Sequence, residues 1–223
     1  MALRHELKHE ISYADMLALR GRLAAVMRRD EHAGGGAYKI RSLYFDNVYD
    51  KALREKIDGV NMREKFRIRY YNGDIGFIQL EKKSKIGSLT SKAQARISAE
   101  KAQKIISGDL DWMKSSESDL VRELYAKMRF EGLRPRTIVD YTREPFIYAP
   151  GNVRVTLDYD IRTGLGSTDF LSPKVPTVAA GDQKCILEVK WDEYLPDVVR
   201  CAVQLGSVRA ESFSKYAISR IYG

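Results

Sequence analysis

The residues best suited to chemistry in this chain are cations set on every second position. Arg67 and Arg69 alternate with Phe66, Ile68 and Tyr70 in FRIRYY, and Glu81 and Lys83 follow Gln79 in QLEKK. Arg4, Glu6, Lys8 and Glu10 alternate in RHELKHE. Arg154, Thr156 and Asp158 alternate with Val153, Val155 and Leu157, and Glu188 and Lys190 with Leu187, Val189 and Trp191. Successive side chains of a strand point to opposite faces, so each stretch predicts one apolar and one charged face. On the charged faces Lys8, Arg67, Arg69, Lys83, Lys92, Arg96, Arg143 and Arg154 outnumber Glu6, Glu10, Glu81, Asp158 and Glu188. A solvated sheet face usually balances charge across strands, because like charges side by side repel. Cations in excess, with a few carboxylates among them, suit a polyphosphate and its Mg2+ or Mn2+.

The elements that must position these residues are mainly strands. The pattern predicts strands over 3–11, 38–46, 54–58, 63–72, 76–84, 89–97, 136–146, 152–160 and 184–191. Helices are predicted over 13–29, with Ser12 as N-cap, over 99–107 and 117–130, over 197–204 after Pro196, and over 214–222. Short turns such as Tyr71-Asn72-Gly73-Asp74 join several strands, which argues for an antiparallel α+β architecture. A sheet of this many strands can close into a barrel and so remove its edges. Closure with the apolar faces under the helices would leave the charged faces to line the interior. The stretch 163–184, rich in Gly, Pro and Ser, reads as a long loop, either a lid or a plain connection.

Length and composition set limits. The 223 residues, 44% hydrophobic and 30% charged, are enough for a core and fit one large domain. No apolar run is long enough for a membrane helix, and MALRHELKHE lacks the apolar run of a signal peptide, so a cytoplasmic protein is expected. Cys185 and Cys201 read as reduced core thiols. The formal charge of +8 suggests anionic partners without choosing among them. Nucleic acid is the less expected one, since it favours exposed aromatics beside the cations and Tyr70 falls on the apolar face. His5 and His9 face away from Glu6 and Lys8 and lack a third ligand, so they read as packing or surface residues. Gly34-Gly35-Gly36 lacks the Lys-Ser/Thr of a P-loop. Helix 13–29 reads as cover for the sheet, with Arg20, Arg22, Arg28 and Arg29 open to a surface role.

The motifs RHELKHE, IRSLYFDN, REKFRIRYY, QLEKK, Tyr141-Thr142-Arg143, VRVTLD, ILEVKW and SFSKY follow one another in an order that resembles the VTC (vacuolar transporter chaperone) domain, the polyphosphate polymerase domain of the triphosphate tunnel metalloenzyme superfamily. The resemblance spans nearly the whole chain, 1–223. It implies an antiparallel eight-stranded β-barrel, basic inside, with helices packed outside. It also implies a metal-dependent phosphotransferase that moves phosphoryl groups from ATP to phosphate, pyrophosphate or polyphosphate. An inorganic or nucleoside triphosphatase, or a non-catalytic polyphosphate-binding domain, stands as the alternative.

Residue by residue, the resemblance implies that Arg67, Arg69 and Lys83 are catalytic. Lys8, Arg67, Arg69, Lys83, Lys92, Tyr141, Arg143, Arg154, Ser214 and Lys215 would bind phosphate. Glu188, with Glu6 or Glu81, would hold Mn2+ or Mg2+. The family's usual Lys-Tyr reads Lys8-His9 here, and Ser212 stands where some members carry a further lysine. No SPX-type helical domain or transmembrane segment accompanies these motifs, so a membrane-associated protein partner would have to supply any membrane portion.

Overall fold

A computed structural model describes residues 4–87, 89–181, 185–205 and 214–221. The strands are β1 (His5–Ile11), β2 (Arg28–Arg29), β3 (Tyr38–Asp46), β4 (Met62–Tyr71), β5 (Ile78–Ile86), β6 (Leu89–Ile97), β7 (Arg134–Tyr148), β8 (Val153–Thr163), β9 (Val178–Ala179) and β10 (Cys185–Trp191). The helices are α1 (Tyr13–Val26), α2 (Lys51–Ile57), α3 (Ala99–Ser107), α4 (Asp119–Phe130), α5 (Asp197–Val203) and α6 (Lys215–Ile221). The fold is α+β, and the ladders β1–β10, β10–β8, β3–β4, β4–β5 and β5–β6 are antiparallel.

The chain divides into two compact units. The first comprises Met1–Lys39, Tyr141–Ile161 and Ala179–Ser214, and the second Ile40–Asp140, Arg162–Val178 and Lys215–Gly223. In the first unit the strand order is β1-β10-β8-β7, with β2 on the far part of β7. Its core gathers Val153, Val155, Leu157, Leu187 and Val189 from the apolar faces of β8 and β10, under Met16, Leu19 and Leu23 of α1 and Val199 of α5. Helix α1 starts where the sequence places it. The Ser12 hydroxyl accepts from Asp15 N–H at 3.0 Å while the Asp15 carboxylate accepts from Ser12 N–H at 3.3 Å, which satisfies two end donors. It ends at Val26, three residues earlier than expected, because Met27 is already extended and Arg28–Arg29 pairs with Phe146 and Ile147 of β7.

In the second unit the order is β7-β3-β4-β5-β6. Phe66, Ile68, Leu80 and Ile97 pack beneath Ala102 and Ile105 of α3 and Leu120, Val121 and Leu124 of α4. The buried apolar residues therefore form two clusters, one per unit, where composition alone suggests one.

Two expectations need correction. Residues 54–58 are not a strand but belong to α2 and its C-cap. That segment buries no side chain, so packing does not select strand. Its first turn is held instead by the buried Asp46 carboxylate, which accepts from Ala52 and Leu53 N–H at 2.9 and 3.1 Å. Cys201 is exposed, so only Cys185 is a core thiol, and no disulfide joins the two. The stretch 163–184 is a packed connection as far as it is described. Phe170 is fully buried against Tyr70, and Arg41 donates to the Ser172 carbonyl at 2.6 Å.

Candidate functional site

The charged faces are buried at some positions and open to solvent at others, Lys92 and Arg96 being exposed. Arg69, Glu81, Glu188 and Asp158 are 4%, 2%, 5% and 0% exposed. Each unit holds its own cluster of the predicted residues.

In the second unit, β4, β5 and β6 present one face in which cations predominate, with Gln79, Glu81, Thr90 and Gln94 among them. Lys65, Lys83 and Lys92 are successive register partners across the three strands, and Arg63 opposes Lys85 in the same way. Arg67 opposes Glu81, the one carboxylate that these three strands set on this face. Glu81 Oε2 lies 2.7 Å from Arg67 and 3.6 Å from Arg69, and Oε1 lies 2.6 Å from Lys92. Burial works against the Glu81 charge, yet Arg67, Arg69 and Lys92 outweigh it and hold the carboxyl down at about 2. Arg67 Nη1 donates to the Tyr44 hydroxyl at 2.8 Å. Burial alone would raise the Tyr44 phenol, but Arg67, Lys65 and Arg69 bring it down to about 7. Lys65 has no carboxylate partner among the described residues and only the Tyr44 ring near its ammonium, at 5.8 Å. Burial lowers it to about 8, the Arg67, Lys83 and Lys215 charges adding to the effect and Tyr44 opposing it.

In the first unit, β1 and β10 alternate charge in register: Glu6 opposes Lys190 and Lys8 opposes Glu188. The Lys8 ammonium bridges Glu6 and Glu188, lying 2.8 Å from the latter. Glu188 also meets Lys190 at 3.0 Å and Arg143 at 3.6 Å. Arg143 makes a two-pronged bond to the buried Asp158 at 2.6 and 2.7 Å, which fixes its guanidinium. Tyr141 is buried, with the Arg143 guanidinium 5.6 Å from its ring centre. Arg154 pairs with Asp30 at 3.1 Å and donates to the Tyr38 hydroxyl at 3.2 Å. Ser214 directly precedes α6, and Ser212 lies outside the described residues.

Two hydroxyls on these faces have no hydrogen bond within the described chain. Thr156 Oγ1 sits across from Glu188 in the first unit, and Ser42 Oγ across from Arg69 in the second.

The sequence matches the VTC domain family over residues 3–221. The chain belongs to the VTC domain family. No curated protein matches this VTC domain in sequence. Among solved structures it is similar to a candidate adenylyl cyclase from Hippeastrum described as having a dominant triphosphatase activity. That match has a TM-score of 0.60 and 13% identity, covering 98% of this chain and 95% of that one. A candidate adenylate cyclase from Bacillus halodurans matches with a TM-score of 0.54 and 13% identity, over 85% and 80% of the two chains. The PH1819 protein of Pyrococcus horikoshii matches with a TM-score of 0.50 and 13% identity, over 97% of each. At such identity the likeness shows a shared fold. No helix among the described residues of the VTC domain is long and apolar enough to cross a membrane.

The carboxylates of this VTC domain that could hold a metal are already engaged by cations. Among the described residues no three acidic, His or Cys side chains cluster as a metal cage. Glu6 and Glu188 already share one positive charge, that of Lys8, and offer hard oxygen ligands. Mg2+ is commonly held by one or two carboxylates with substrate phosphates completing its shell, so a metal here would have to share these oxygens with the cations. Glu81 has both oxygens engaged by cations, and so has Glu188, its Oε1 by Lys8 and its Oε2 by Lys190. His5 stacks on Trp191 at 5.3 Å, the packing role expected of it.

Sequence reasoning missed Lys65, Tyr44, Ser42 and Lys85. A signal existed for each. Lys65 and Lys85 continue the two-residue period of Arg67–Arg69 and of Glu81–Lys83, and Ser42 and Tyr44 share one period in IRSLYFDN.

Proposed function

We propose that this chain acts as one VTC-type domain, residues 1–223, that transfers phosphoryl groups from ATP to phosphate, pyrophosphate or polyphosphate. The observation that carries the reading is the lysine row Lys65–Lys83–Lys92 beside Arg67 and Arg69. Like charges in direct register destabilise a sheet, so such a row is explained by a polyanion that lies along it. Arg67 and Arg69, preset by Glu81, would grip phosphate oxygens in two-pronged fashion, and Lys83 and Lys92 would add point charges. Lys215 would be a further phosphate contact in the second unit, and Lys8, Tyr141, Arg143, Arg154 and Ser214 would be phosphate contacts of the first. Glu188 and Glu6 would hold Mn2+ or Mg2+, which when bound would offset phosphate charge. Glu81 stands as the alternative to Glu6 in that role, and it also holds Arg67 and Arg69.

Phosphoryl transfer asks a protein mainly for alignment and charge neutralisation. A terminal oxygen of the acceptor forms the new P–O bond as the bond to the ADP leaving group breaks. Arg67, Arg69 and Lys83 neutralise the oxygens on which charge builds, and they count as catalytic on that ground. If water takes the acceptor's place, the same face yields a triphosphatase. The dominant triphosphatase activity of the Hippeastrum protein, which shares the fold, makes that the second reading. A cytoplasmic setting and a membrane-associated partner belong to the proposal as well.

The test is purified protein with ATP and Mn2+, with and without pyrophosphate, its phosphate products sized on a gel. Long chains support a polymerase, and free phosphate alone supports the triphosphatase. Neither product, together with metal-dependent triphosphate binding, would leave a binding domain and overturn the enzyme.

A further inference from the structure

Neighbouring residues at the start of α6 have different roles. Lys215 is close enough to Lys65 for its charge to act on that ammonium. Tyr216 points inward, 2% exposed, and its ring stacks on Tyr44 at 5.1 Å. Its hydroxyl donates to Asp46 Oδ2 at 2.7 Å. Asp46 is fully buried and also accepts from the N–H groups of Asn47, Ala52 and Leu53. One carboxylate thus ties the end of β3, the first turn of α2 and the first turn of α6. Burial and the Asp46 charge push the Tyr216 phenol far above its ordinary value, so it stays a donor at working pH. Further along α6, Arg220 donates to Asp50 at 2.8 Å.

We propose that Asp46 and Tyr216 are positioning residues: they seat α6 so that Lys215 joins the cation row of β4 and β5 and contacts the phosphate chain. The inference rests on reading that face as a phosphate site. Tyr44 links the two halves of the device, stacking on Tyr216 while its hydroxyl accepts from Arg67. A purely architectural role would make Tyr216 matter for folding alone. A positioning role makes its effect on ligand run through Lys215.

The experiment uses the full chain in four forms: wild type, Tyr216→Phe, Lys215→Ala and the double variant. Tyr216→Phe keeps the ring stack and every cap of α2. Tripolyphosphate affinity is measured by calorimetry, and the Lys65 ammonium is titrated by NMR without ligand. Tyr216→Phe is expected to weaken tripolyphosphate about tenfold, roughly one charge-assisted hydrogen bond. Lys215→Ala should do the same, and the double variant should be no weaker than Lys215→Ala. In the free protein both single variants should raise the pH at which Lys65 titrates, since each takes the Lys215 charge away from it. Independent, multiplying losses would overturn the proposal, as would a Tyr216→Phe protein with wild-type affinity and wild-type Lys65 titration. Should wild type fail to bind tripolyphosphate, the phosphate reading fails by itself. The ligand-free Lys65 titration then decides the positioning role, an unchanged value in Tyr216→Phe overturning it. Asp46→Asn is the second variant and should repeat the Lys65 shift.

Discussion

The charge of Lys65 is set by its neighbours rather than by itself. An ammonium that titrates at about 8, with no carboxylate partner among the described residues, changes charge within the range in which enzymes are assayed. Below that pH it is a cation facing the phosphate row, and above it the row loses a charge. We expect the tripolyphosphate affinity of wild type to fall, relative to Lys65→Arg, as pH rises from about 7 to about 9. Arginine keeps its charge across that window. Calorimetry at three pH values checks this, and parallel curves for the two proteins would remove Lys65 from the site. Glu81 is the complementary case. Its carboxyl is depressed to about 2, so the stability it contributes is full above its unfolded value and is lost as pH falls towards the folded one. Removing one partner of a buried ion pair costs about 3–5 kcal/mol. Glu81→Gln should therefore lower the melting temperature markedly at neutral pH, and the gap to wild type should narrow in acid. A gap that stays constant down to acid pH would mean that the ion pairs are not its source.

At the scale of elements, local chemistry places the ends and long-range packing places the faces. Ser12 caps α1 through a contact three residues long, which is why its start is readable from sequence. Ser12→Ala should cost about 1 kcal/mol by thermal or urea unfolding. Gly151 serves the turn before β8 in another way. Its φ is +72°, and a Cβ there would lie 2.4 Å from the Tyr194 carbonyl oxygen. Gly151→Ala should destabilise the protein by about 1–3 kcal/mol, and a neutral substitution would contradict the close approach. The strand over 89–97 was legible because alternation and burial agree along its second half, whereas in 38–46, buried without a break from Ser42 to Asp46, the run of strand-forming residues carried the signal. The segment 54–58 was not, because the group that makes it helical is Asp46, on the preceding strand, acting from outside the helix. The same limit hid the link from Asp46 to Tyr216, which spans 170 positions and leaves no period in the sequence. Of the site, the cations on a two-residue period were visible. Their pairing was not: nothing in QLEKK says that Glu81 is neutralised by Arg67 and Lys92 while Lys65 has no such partner.

The whole molecule carries +8, and part of that excess is on the charged sheet face of β4, β5 and β6. Two opposite salt dependences follow. Without ligand, the cations of the lysine row repel one another, and salt screens that repulsion. With a polyphosphate, the same cations attract the ligand, and salt screens that attraction. Raising ionic strength from about 0.01 M to about 1 M shortens the Debye length from about 30 Å to about 3 Å. The melting temperature of the free protein should then rise. A ligand that binds only the folded state at a hundredfold over its Kd stabilises by about 2.7 kcal/mol, so tripolyphosphate should raise it further at low salt. That increment should shrink as salt increases, and monophosphate at equal concentration should give little of it. Melting curves across a salt series, with and without each anion, measure both slopes at once. A duplex DNA that stabilises as well as tripolyphosphate would turn the reading toward a general polyanion surface. A free protein indifferent to salt would mean that the lysine row is not under the electrostatic strain from which its function was argued.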